Sequence, residues 1–78
     1  MYITKDEEMN VRRAVSYVEH GWKPTTSNIH RYITDTLRVV IEMDRLQGVL
    51  HWMKTEEIIH KVGVLDRMPV YGLVIKED

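Results

Sequence analysis

Apolar residues first recur at helical spacing near the start of the 78-residue chain: Val11, Ala14, Val15 and Val18, with Arg12, Arg13, Ser16 and Glu19 on the rest of the circumference. Thr4 followed by Glu7 predicts a capping box at the start of this helix, and Asp6, Glu7 and Glu8 suit the positive end of its dipole. His20-Gly21 predicts its end, with glycine in the left-handed cap position. Trp22-Lys23-Pro24 reads as a connector, because proline cannot sit inside a helix. Thr25 or Thr26 then caps a short second helix with Ile29, Tyr32 and Ile33 on its apolar side. Thr34-Asp35-Thr36 offers a fresh cap, which predicts a tight turn and a third helix over 36–47 stopped by Gly48. On that helix Leu37, Val39, Val40, Ile41, Met43 and Leu46 cover more than half the circumference. Thr34, Asp35, Arg38, Glu42 and Arg45 form the remaining polar stripe, and Asp44 falls among apolar positions where it needs a partner.

The last third alternates less cleanly. Residues 49–53 read as a short strand, and 70–75 as another started by Pro69, which is allowed at a strand's first residue. Between them 55–63 fits a capped helical turn with Ile58, Ile59 and Val62 on one side. A rival assignment makes 58–64 a strand paired with 70–75 across Asp66-Arg67-Met68. The helical turn is narrowly preferred.

Composition narrows the function classes. The length suits a single domain over 1–78, and with no cysteine there can be neither a disulfide nor a thiolate zinc site to staple it. No apolar run approaches the roughly 18 residues of a membrane span, and the acidic start is unlike a signal peptide, so the expectation is a cytoplasmic protein. The net charge is −1, yet between Met9 and Lys76 ten Lys/Arg face seven Asp/Glu, a mildly basic middle between acidic ends. His20, His30, His51 and His60 form no pair at i,i+3 or i,i+4, which argues against a metal site. No Ser/His/Asp order, glycine-rich phosphate loop or paired carboxylates point to catalysis, and nothing calls for a cofactor. A helical core explains the apolar face of the third helix better than a ligand pocket does.

Thr36-Leu37-Arg38-Val39-Val40-Ile41-Glu42-Met43-Asp44-Arg45-Leu46-Gln47-Gly48-Val49-Leu50 resembles the recognition helix and following strand of small prokaryotic winged-helix regulators of phage or plasmid type. Arg67-Met68-Pro69-Val70-Tyr71-Gly72-Leu73 is similar to their closing wing strand. The resemblance implies an α+β winged helix-turn-helix, with a three-helix core and a small antiparallel β-wing. Three departures accompany it: about eighteen residues between Leu50 and Pro69, few basic residues near the wing tip, and no long dimerisation helix. It implies sequence-specific binding of double-stranded DNA by a transcriptional regulator.

On the residues themselves, the polar stripe of segment 34–47 is the element expected in the major groove. Arg38 and Arg45 lie two turns apart on it, with Glu42 between and Thr34 and Asp35 at the amino end. Arginine can bond guanine O6 and N7 together, and a glutamate can accept from cytosine N4. Lys23, Thr25, Thr26, Ser27, Asn28, His30 and Arg31, at the start of the second helix, suit phosphate contacts, and Arg67 would touch the neighbouring groove or backbone. One small module gives limited affinity, so a homodimer on a pseudo-palindromic site is expected. The alternative from another class is a protein-interaction module of the same fold, an adaptor or inhibitor that binds no DNA.

Overall fold

The Thr4/Glu7 capping box forms as the residues demand: the Thr4 amide donates to Glu7 Oε1 at 3.0 Å and the Glu7 amide to Thr4 Oγ1 at 3.1 Å. From it runs α1, Lys5–Ser16, burying Val11, Ala14 and Val15. The computed structural model describes residues 2–17 and 21–75, so Val18, Glu19 and His20 lie outside the described residues. The helix ends at Ser16 with Tyr17 as its C-cap, ahead of the expected stop at His20-Gly21, so Gly21, although left-handed at φ 80°, does not cap it.

Thr25 is the residue that caps α2, Thr26–Arg31, its hydroxyl accepting the Asn28 amide at 3.2 Å. The chain then widens into a π-helical turn over Tyr32–Thr36, closed by the Leu37 amide on the Tyr32 carbonyl at 3.1 Å. Thr34 contributes to the widening, because its hydroxyl donates to the carbonyls of His30 (3.0 Å) and Arg31 (3.2 Å). Thr34-Asp35-Thr36 is therefore the end of the second helix and not a fresh cap.

The expected helix over 36–47, with its polar stripe reaching back to Thr34, is corrected by the structure. Residues 37–42 are a loop, and the third helix, α3, spans Met43–Thr55. Arg38 adopts φ 59° and so terminates the preceding turn, while Val39-Val40-Ile41 is a β-branched run with poor helical preference. The loop is tied down where the Ile41 carbonyl meets His30 Nε2 at 2.8 Å, and Leu37 and Ile41 pack on the core. Val40, by contrast, is 96% exposed. Glu42 takes the N-cap position without a side-chain capping bond, and Asp44 sits exposed in the first turn, favoured by the dipole and in no need of a buried partner. Gly48 lies mid-helix. The expected strand over 49–53 is therefore helix, and Leu46, Val49, Leu50 and Met53 are its buried stripe.

Glu57, at φ 59°, ends α3, and the Ile58 amide closes on the Met53 carbonyl at 2.8 Å. The chain then enters a strand and not the preferred helical turn: β1, Ile59–Leu65, pairs antiparallel with β2, Met68–Leu73. Asp66 and Arg67 join them at φ 50° and 68°, both left-handed, matching the twist of a tight hairpin. The register pairs Lys61 with Tyr71 and Gly63 with Val70, leaving Val62 as a bulge. The hairpin docks through Ile59 and Tyr71, a Thr25–Val70 bridge, and the Tyr71 amide on the Pro24 carbonyl at 3.0 Å. The result is a small α+β domain with three α-helices and a two-stranded antiparallel sheet among the described residues. None of those helices is long and apolar enough to cross a membrane.

Candidate nucleic-acid interface

Burying Leu46, Val49, Leu50 and Met53 leaves a definite outward face on α3. Asp44, Gln47, His51 and Lys54, at steps of three and four residues, are all exposed. Thirteen residues at 1.5 Å rise make a rod of about 20 Å. Its polar edge carries an acceptor, an amide, an imidazole and an ammonium group, the side-chain types that read base edges. Of these the sequence pattern singles out only Asp44, and on the wrong face. The signal for the other three was present in the i, i+3, i+4, i+7 spacing of the buried residues, which runs straight through Gly48.

The expected site residues scatter around this face. Arg45 is turned away from solvent towards the start of α1. Its Nε donates to Glu7 Oε2 and its Nη2 to Glu7 Oε1, both at 2.6 Å, and Nη2 also donates to the Tyr2 carbonyl at 2.6 Å. Hydrogen bonding by Arg45 outweighs burial and holds the Glu7 carboxyl down at about 2, and the same bonds raise the guanidinium. Arg45 therefore anchors α3 to α1, with its Nε and Nη2 donors committed. Thr25 is fully buried, its hydroxyl spent on the cap, so it cannot reach a phosphate. Asn28 turns its amide to the Lys23 carbonyl at 2.8 Å, and the Thr34 hydroxyl is bonded within its own helix.

Other candidates remain at the surface. Lys23, Ser27, Arg31, Asp35, Arg38, Glu42 and Arg67 are exposed, and Thr26 is half-buried. Ser27 Oγ lies 3.6 Å from Met68 Sδ, which brings the start of α2 to the hairpin beside Arg67. Arg31 and Asp35 instead border a shallow cavity of about 240 Å³ with Tyr17, Trp22, Tyr32 and Thr36. There Trp22 donates its Nε1–H to the Ala14 carbonyl at 3.0 Å, and its ring meets Tyr17 edge-on with centroids 5.5 Å apart. Trp22 is thus a corner plug, and Trp52 is half-buried against the core.

Geometry alone thus defines a small α+β domain presenting one polar helix face beside a hairpin. No family model, curated protein or solved structure matches the chain.

Proposed function

We propose that the chain is a winged-helix domain that binds double-stranded DNA, with α3 in the major groove and the β1–β2 hairpin as its wing. The observation that carries this is the outward row Asp44, Gln47, His51 and Lys54 on a helix pinned from behind by four buried side chains. Gln47 suits bidentate contact with adenine N6 and N7, Lys54 suits guanine, and Asp44 can accept from cytosine N4. Lys23, Ser27, Arg38 and Arg67 supply phosphate contacts around it. The order of three helices followed by a hairpin agrees with the winged-helix likeness of the sequence. The groove-entering element moves, however, from 34–47 to Met43–Thr55.

Fluorescence anisotropy with labelled duplex DNA across a salt series tests the proposal. Binding should weaken steeply with salt, by about one unit of log–log slope per phosphate contact. Gln47→Ala with Lys54→Ala should lower affinity at least tenfold with little change in thermal midpoint. No binding at low salt would sink the proposal. One observation favours the protein-interaction alternative: the α2–α3 loop exposes Val40 almost completely beside Val39, while Asp44 and Glu42 dilute the positive charge nearby. Failure on DNA would transfer the case to that module.

A further inference from the structure

The two edges of the hairpin are treated differently. On the outer side of β2, Thr25 bridges Val70, and the Tyr71 amide is bonded to the Pro24 carbonyl. Among the described residues β1 has only β2 as a strand neighbour. Natural edges are blunted by proline, by charge, by shortness or by a bulge, and of these β1 carries the bulge at Val62. β1 runs for seven residues with no proline and a single lysine, and it exposes Val62 and Val64 by 58% and 60%. Pairing with β2 is also incomplete at these two valines. Val62 is skipped in the register, and Val64, next to the Leu65–Met68 pair that closes the two-residue turn, turns its N–H and C=O to the free side.

We propose that the free edge of β1 is a homodimer interface, two copies pairing antiparallel about a two-fold axis at Gly63 to form a continuous four-stranded sheet. A two-fold axis normal to an antiparallel ladder passes midway between one residue and its own copy, so the symmetric registers are few. Centring on Lys61 sets two lysines opposite each other, and centring on Val64 sets Lys61 against Arg67. Both place like charges together. Centring on Val62 avoids that but leaves Asp66 opposite Ile58. The Gly63 register alone puts Val62 opposite Val64 of the second copy on both sides of the axis, Lys61 opposite Leu65, and His60 opposite Asp66. The two incompletely paired valines thereby complete each other. This interface stands or falls independently of DNA binding.

The absence of cysteine makes a clean test. Gly63→Cys introduces the only thiol, and no atom beyond Gly63 and its two chain neighbours lies within 4 Å of where its Cβ would stand. Facing residues of an antiparallel pair have Cα atoms about 4.5–5.5 Å apart, within disulfide reach. The expected result is a concentration-dependent dimer of the wild type by sedimentation. Gly63→Cys should form a disulfide-linked dimer under mild oxidation, while His51→Cys, exposed on α3, stays uncrosslinked. Val64→Lys, at an exposed position, should keep the far-UV spectrum and weaken dimerisation at least tenfold. A wild type that is monomeric up to millimolar concentration would overturn the proposal. So would a dimer in which Gly63→Cys crosslinks no faster than His51→Cys.

Discussion

The helices and the hairpin tip are built on opposite terms. Val11, Ala14, Ile29, Ile33, Leu46, Val49 and Met53 are essentially inaccessible and interlock α1, α2 and α3, whereas beyond Ile59 β1 is mostly exposed. Burial is concentrated in the first region, and the second is left largely to solvent. In a domain this small, presentation is identified by subtraction: what the core does not need, it displays.

Substitutions can break or sharpen that contrast. Leu46→Ala, at a fully buried site, should cost about 3 kcal/mol. For a chain of this length total stability is about 4–12 kcal/mol, so urea denaturation should show a large loss. A cost below that of a surface change would show that the helices are not the stability centre. Thr25→Ala removes a buried cap and should cost about 1–2 kcal/mol, read in the same experiment. Gly72→Ala tests the hairpin itself. A Cβ there would stand 2.8 Å from Val62 Cγ1, a branched side chain with little freedom, so about 1 kcal/mol should be lost. The accompanying rise in amide exchange should be largest in β1 and β2 and extend to the Asn28 amide.

The Glu7–Arg45 pair links the N-terminal segment to α3 and gives a pH signature. Glu7 is depressed from the ordinary 4.5 to about 2, chiefly by hydrogen bonds from Arg45. Its stabilisation is full above the unfolded value and disappears as pH falls from about 4.5 towards about 2. Glu7→Gln should therefore lower the thermal midpoint by a few degrees near neutral pH and flatten the acid limb of the stability curve. Superimposable acid limbs would remove the pair from the account. Smallest of all, Glu57→Gly relieves a left-handed backbone at an exposed position and should change stability by less than about 1 kcal/mol.

Legibility in the amino acids splits along the same divide between local and distant interactions. α1 was legible because its cap and apolar stripe are both local, and the α+β class came from the order of elements. α3 was displaced because Leu37, Val39, Val40 and Ile41 imitate a helical face, when their β-branched run and the left-handed Arg38 hold them in a loop. Gly48 looked like a stop, yet the buried stripe carries the helix across it. The expected polar stripe was redrawn more, since burying Leu46, Val49, Leu50 and Met53 turns a different set of side chains outward. That Arg45 is engaged by Glu7 depends on residues 38 apart in sequence, a contact no spacing rule could supply.

Thr25 closes the two regions into one object. Its hydroxyl belongs to the helix it caps, while its backbone belongs to the ladder beside Val70. A single residue is thus a pin shared by two elements. Any pull on the hairpin is delivered to the first turn of α2, and any fraying of that turn slackens the hairpin. Amide protection of Asn28 and of Tyr71 should rise and fall together although the two residues stand in different layers.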